Sequence, residues 1–218
     1  MGKRLLPFDH IANAHPCFLD PEERPDWAGL FQNGNPLKLE IGFGTGNFLI
    51  DMAIREPQSN FIGMDFYHKG IRKVITRMDR LHLKNIRVAY GNAGEKIPIL
   101  FDEGELSEVF INFPDPWPKK RHHKRRLITP QFVEMLAGKM APGGTLHIAT
   151  DFEAYAQAIL EALQADPRFF NLHEDQGYRH EREDIPKTKY EKAFLDAGRK
   201  IYYFEFSKEP DYVLAPTA

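Results

Sequence analysis

In the stretch "INFPDPWPKKRHHKRR", from Ile111 to Arg126, a single carboxylate, Asp115, stands between Pro114 and Pro116, with Trp117 and Pro118 following. Proline fixes its own φ and restricts the residue before it, so this turn is stiff before anything binds to it. A carboxylate held this way can face developing positive charge or accept a pair of N–H donors. Trp117 has two readings, a platform for stacking a base or packing beneath the loop. Behind the turn, Lys119 to Arg126 contains six Lys or Arg and two His. The chain has a formal net charge of -2 and therefore carries -8 outside those six cations. One positive block on an acidic body is the electrostatic footprint of a polyanion contact. Lys120, Arg121, His122, His123, Lys124, Arg125 and Arg126 are accordingly expected to meet the phosphates of a nucleic acid. The blander reading of such a run is a solvated loop or helix face.

A second constellation lies upstream. "LEIGFGTGNF" sets Gly42, Gly44 and Gly46 directly after an apolar run and at the start of a helical pattern. Glycines there let the backbone turn tightly and approach a ligand. The dinucleotide fingerprint G-x-G-x-x-G needs a glycine at 47, where the chain has Asn47, and an NAD enzyme is the least favoured reading. Asp65 ends the next apolar run, 25 residues after Glu40, where a carboxylate can accept both hydroxyls of a ribose. Asn92 ends the third, where an amide can pair with an adenine edge. No G-x-x-x-x-G-K-[ST] phosphate loop is present. A ligand with adenine and ribose but no pyrophosphate fits, and S-adenosylmethionine is the common one. Its sulfonium and ammonium groups favour a site bearing Glu40, Asp65 and Asp115.

These residues need a frame. Apolar runs at 37–44, 60–66, 86–92, 107–113, 145–151 and 200–206 alternate with helical patterns near 46–56, 69–82, 94–101, 129–140 and 152–165. Such alternation predicts an α/β fold: a mostly parallel sheet with helices on both faces. Near the end, "FFNLHED" and "KIYYFEF" predict a hairpin-like closing pair with one antiparallel strand. Residues 1–36, with Pro7, Pro16, Pro21 and Pro25, read as an N-terminal arm with one short helix, and 37–218 as one domain.

At 218 residues, with 42% hydrophobic and 28% charged residues, the chain has the composition of a globular domain. No apolar run approaches the ~20 residues needed to span a bilayer, and the N-terminus lacks a signal-peptide core. A cytoplasmic location is expected. The single Cys17 allows no intrachain disulfide or cysteine metal cluster, and no metal is expected.

Taken together, "EIGFGTGNF", "GMD", "GNA", "INFPDPWPKKRHHKRR", "APGGTLHIATD" and "TKYE" resemble the bacterial tRNA (guanine-N7-)-methyltransferase family over roughly residues 37–207. "NFPDPWPK" followed by "RHHKRR" carries most of the specificity; the glycine turn is common to many methyltransferases. The resemblance implies a Rossmann-like class I SAM-dependent methyltransferase fold with a seven-stranded sheet. It implies methylation of the variable-loop guanine at tRNA position 46 to 7-methylguanosine, releasing S-adenosylhomocysteine. It also implies that Glu40, Asp65, Asn92 and Asp115 contact the methyl donor, with Lys119, Asp151, Thr188, Lys189, Tyr190 and Glu191 on the substrate side. Asp65 stands where the family usually has Glu, and Asn92 where Asp is frequent. Read without the resemblance, Asp151 is also a helix N-cap candidate, and Thr188 with Glu191 has capping-box spacing. The expected partner is tRNA, with no membrane and no obligatory protein partner, the chain acting as monomer or homodimer. A noncatalytic RNA-binding protein and a small-molecule methyltransferase are the rival readings; the cationic run has no purpose in the second.

Overall fold

Every residue of Leu37–Ile41 is buried, the mark of a central strand covered on both faces. The structure, a computed structural model, describes residues 5–20, 22–173, 176–183 and 185–210. Pro21, counted among the prolines of the expected arm, lies outside the described residues. In chain order the elements are α1 (Phe8–Ala14), β1 (Phe18–Leu19), α2 (Trp27–Phe31), β2 (Leu37–Ile41), α3 (Asn47–Arg55), β3 (Asn60–Asp65), α4 (His68–Leu81) and β4 (Ile86–Tyr90). They continue with α5 (Ala93–Leu100), β5 (Leu106–Asn112), a 3-10 helix (Lys120–Arg125), α6 (Pro130–Lys139), β6 (Met140–Thr150), α7 (Glu153–Gln164), β7 (Phe169–Asn171), α8 (Lys189–Asp196) and β8 (Tyr202–Lys208).

The strands form one sheet in the order β1-β4-β3-β2-β5-β6-β8-β7. Neighbours from β1 to β6 pair parallel, and β8 alone runs antiparallel, to both β6 and β7. The expected closing pair and single antiparallel strand are therefore present. From β2 the chain builds outward through β3 and β4, then returns to place β5 on the other side of β2. That reversal is a topological switch point, and a crevice opens at the strands' carboxyl ends there.

Two apolar cores sandwich the sheet. One joins Leu39 and Ile41 to Ile97, Leu136, Tyr155 and Ile159 on α5, α6 and α7. The other joins Phe61 and Phe110 to Leu49, Ile50, Ile71 and Val74 on α3 and α4. The alternation of short apolar runs and amphipathic segments predicts this arrangement because each helix has one face to bury.

Among the described residues the sheet has eight strands where seven were expected, the addition being β1, which pairs with β4 through Phe18 and Val88. Two residues between prolines carry no alternation to detect. The segment before residue 36 also packs closely on the rest. Phe8 stacks on His68 at 3.7 Å, and Arg72 donates to the Leu6 carbonyl at 2.6 Å. Trp27 donates to the Leu100 carbonyl at 3.0 Å and stacks on Phe101 at 5.4 Å.

Candidate active site

Gly42, Gly44 and Gly46 all adopt positive φ, at 74°, 55° and 68°, which side-chain-bearing residues seldom do. Gly46 caps α3, and a Cβ there would fall 1.9 Å from Val74 Cγ2, so α4 presses against the turn. Gly42 is the opposite case: a Cβ would meet nothing within 4 Å, because this glycine faces an open cleft.

The cleft measures about 950 Å³ and lies at the switch point. Asp65 and Asn92 line it with Gly42, Phe66 and Tyr67, and so do Phe113, Asp115, Trp117, Lys124, Arg125 and Arg126. The glycine crevice and the Pro-Asp-Pro-Trp bend thus share one cavity. Glu40, Gly44 and Gly46 are set back from its surface.

Asp65 is held by the turn that it serves. Its Oδ2 accepts from the Gly44 N–H at 2.7 Å and its Oδ1 from the Tyr67 N–H at 2.9 Å. A carboxylate has about four acceptor positions, so each oxygen retains capacity for a diol. Asn92 caps α5, its side-chain oxygen accepting from the Gly94 N–H at 2.9 Å, which leaves the NH₂ group to donate. Glu40 is only 3% exposed, and its Oε2 has no hydrogen-bond partner among the described residues. Burial, with a smaller push from the Asp65 charge, raises its pKa to about 8, against the pull of the Asn112 amide, Arg182 and the Leu49 N–H. An orphaned buried acceptor of this kind asks for a donor.

The bend is strained on both sides of Asp115. Phe113 and Trp117 have φ of 54° and 42°, a left-handed geometry costing roughly 1–2 kcal/mol for a residue with a side chain. Its surroundings hold it there. The Phe113 N–H donates to the Ala149 carbonyl at 2.8 Å, and its ring meets Phe194 of α8 edge-on at 5.5 Å. Arg125 lies 4.9 Å over the Trp117 ring, and His122 meets that ring edge-on at 5.8 Å. Trp117 therefore lines the cleft and also packs against the basic run. Asp115 itself is exposed.

The cations divide. Lys119, Lys120, Arg121, Lys124 and Arg125 are exposed on or beside the 3-10 helix, and His122 and His123 are half-buried. Arg126 is only 9% exposed; its Nε donates to the Pro116 carbonyl at 2.9 Å, and its guanidinium covers the Tyr155 ring at 4.7 Å. It is a strut beneath the bend. The sequence groups it with the surface cations, because a run of like charges gives no sign of which member turns inward.

Asp151 directly follows β6 and accepts from Arg199 at 2.6 Å. It is not the cap of α7: Phe152 holds that position with no side-chain hydrogen bond. The capping box of α8 is formed. The Glu191 N–H donates to Thr188 Oγ1 at 3.0 Å, and the Thr188 N–H donates to Glu191 Oε2 at 3.1 Å. Glu191 is 0% exposed and also receives Arg182 at 2.7 Å and the Tyr203 hydroxyl at 2.8 Å. Lys189 and Tyr190 stand exposed at the helix start, Tyr190 at 63%. Arg182 was missed in the sequence, where it sits in a polar stretch without periodicity. Lys119, Asp151 and Thr188 to Glu191 do not line the cleft, though α8 touches the bend through Phe194. Among the described residues, no group of three or more His, Cys, Asp or Glu is arranged to hold a metal, and no helix is long and apolar enough to cross a membrane.

The chain is similar to several known proteins. A family model described as "Putative methyltransferase" matches residues 34–204. A tRNA (guanine-N(7)-)-methyltransferase of Geobacter metallireducens is 40% identical over 201 residues, 91% of this chain and 95% of that protein. One of Streptomyces coelicolor is 40% identical over 183 residues, 84% of this chain and 68% of that protein. Among solved structures, the antibiotic-resistance methyltransferase Kmr superposes with a TM-score of 0.58 at 17% identity, covering 84% of this chain and 92% of that one. The 16S rRNA methyltransferase KamB gives 0.58 at 12% identity, covering 87% and 96%. These structures share the class I methyltransferase fold. With sequence identity of this level along nearly its whole length, the chain belongs to the bacterial tRNA (guanine-N7-)-methyltransferase family.

Proposed function

We infer that the protein transfers a methyl group from S-adenosylmethionine to N7 of a tRNA guanine, at position 46 in the variable loop, releasing S-adenosylhomocysteine. The observation that carries this reading is the shared cleft: Asp65, Asn92, Asp115 and Trp117 all line one cavity.

The residues present fit the methyl donor. Glu40, beneath the glycine turn, would present a carboxylate towards an ammonium group bound in the cleft. Asp65 would take the ribose hydroxyls and Asn92 the adenine edge, while Gly42 leaves open the space a Cβ would fill. When bound, S-adenosylmethionine supplies an electrophilic methyl carbon on a sulfonium.

Guanine N7 carries an in-plane lone pair and no proton, so the chain need provide no general base. Its task is positioning, a contribution that can reach about 7–11 kcal/mol. With the donor bound, methylation of N7 would place positive charge on the guanine ring. Asp115, on a bend fixed before binding, faces that charge or accepts from guanine N1–H and N2–H. Lys120, Arg121, Lys124 and Arg125 present an exposed cationic surface beside it for the flanking phosphates, joined by Lys119. Lys189 and Tyr190 form a second lip at the start of α8. The protein works in the cytoplasm, as monomer or homodimer.

The test is incubation with unmodified tRNA and labelled S-adenosylmethionine, followed by aniline cleavage, which breaks the strand at 7-methylguanosine. A single break at position 46 is expected. Label on another base, or on a guanine atom that leaves the strand intact, overturns the reading.

A further inference from the structure

Three buried side-chain atoms near the strand ends, Glu40 Oε2, Asn112 Nδ2 and Arg182 Nε, form no well-aligned hydrogen bond among the described residues, although the Asn112 amide already pulls on the Glu40 carboxyl. Glu40 belongs to β2 beneath the glycine turn, Asn112 ends β5 and lines the cleft just before the bend, and Arg182 comes from the segment between β7 and α8. Poorly satisfied buried groups are rare, and three together describe a polar network that is loosely closed.

Arg182 connects its members. Its guanidinium donates to Glu191 Oε2 at 2.7 Å and reaches Asn112 Oδ1 at 3.4 Å through both terminal nitrogens. It lies 4.9 Å over Tyr203 and 5.9 Å from the Phe48 ring, and its charge acts on Glu40. Glu191 in turn is locked into the capping box that starts α8. One cation therefore joins the helix bearing the exposed Lys189 and Tyr190 to the strand end before Asp115 and to the acid under the glycine turn. The grip on Glu191 is tight. The grip on Asn112 sits at the long limit for a hydrogen bond, so that joint has room to close.

Resting on the functional reading above, we propose that Arg182 is a positioning residue that couples the two substrates. A donor that completes Glu40 fixes it as a carboxylate, which draws Arg182 and Asn112 together. Through Glu191 the same movement sets the start of α8, where tRNA is met. Occupation of either side then tightens the other, since coupling between two sites is reciprocal.

The experiment is calorimetry of S-adenosylhomocysteine binding to the full chain, alone and with saturating unmodified tRNA. For the wild type, tRNA is expected to tighten this affinity about fivefold or more. In Arg182→Met the ratio is expected to fall to within about twofold of unity, while affinity without tRNA changes far less. Arg182→Lys keeps a cation for Glu191 but lacks the forked contact to Asn112, so it also loses the ratio and serves if the Met variant does not fold. A purely structural arginine would lower the thermal midpoint and leave the ratio intact. A wild-type ratio near unity, or an unchanged ratio in a folded Arg182 variant, overturns the proposal. Failure of the wild type to bind tRNA at all overturns the functional reading first, and the coupling with it.

Discussion

Arg126 donates through Nε to the carbonyl oxygen of Pro116 at 2.9 Å. The last cation of the basic run is thereby tied beneath the bend that presents Asp115, with the Tyr155 ring behind it at 4.7 Å. Tyr155 is anchored in turn, its hydroxyl accepting from the Ile128 N–H at 3.0 Å. The charge that faces outward and the geometry that faces the cleft are consequently set by neighbouring residues of one run.

Arg126→Ala should destabilise the fold by about 1.5–3 kcal/mol, the scale of a hydrogen bond to a charged group, and should slow methyl transfer. Denaturant unfolding measures the first. Lys124→Ala, on the exposed side, should stay within about 0.5 kcal/mol of the wild type.

Replacing Lys120, Arg121, Lys124 and Arg125 together by Ala should flatten the dependence of tRNA affinity on salt. Each lost phosphate contact reduces the log-log slope by roughly 0.7–0.9. Titrations across salt concentrations read this directly, and Arg126→Ala should leave the slope nearly as it was.

Glu40→Gln should stabilise the ligand-free protein in mildly alkaline solution while weakening binding of the methyl donor. The folded-state pKa of Glu40 is raised from 4.5 to about 8. The favourable contribution of its protonated form is fully present below pH 4.5 and is lost as the pH rises through 8. Thermal midpoints of variant and wild type should diverge as pH increases over that window.

His147 supplies a pH dependence of the opposite sign. Burial depresses its pKa from 6.5 to about 3, with Arg182, Lys38 and His173 adding to the effect. It stacks on Phe110 at 4.8 Å and sits between Glu108 and Glu205, at 4.0 and 3.6 Å. Its stabilising contribution is present above pH 6.5 and is lost as pH falls towards 3. Relative to His147→Gln, the wild type should lose stability progressively as the pH falls below 6.5, on the order of 1 kcal/mol per pH unit. Comparing the two proteins cancels the contribution of Glu40.

Much of this was legible in the sequence because burial leaves a periodic trace. The helical pattern at 129–140 is α6 at Pro130–Lys139, and the run at 60–66 is β3 at Asn60–Asp65. Asp65 and Asn92 could be placed at one crevice because strand ends in a switched parallel sheet converge. What was illegible depends on tertiary contacts with no local pattern. The two residues of β1 are too few to alternate, Arg126 looks like its neighbours, and Arg182 acquires its role only when Glu191 and Asn112 meet it. Glu191 shows both limits. Its spacing from Thr188 announced the capping box, yet nothing local announced that it would be wholly buried.

The central claim is that Asp115 acts on the guanine at the same cleft that holds the methyl donor. Asp115→Asn, assayed in single turnover at saturating tRNA and S-adenosylmethionine with donor affinity measured in parallel, tests it most directly. The expected result is a rate lower by about 10²–10³, the scale for losing one preorganised electrostatic group, with a much smaller change in affinity. A variant that methylates tRNA at the wild-type rate would contradict the account.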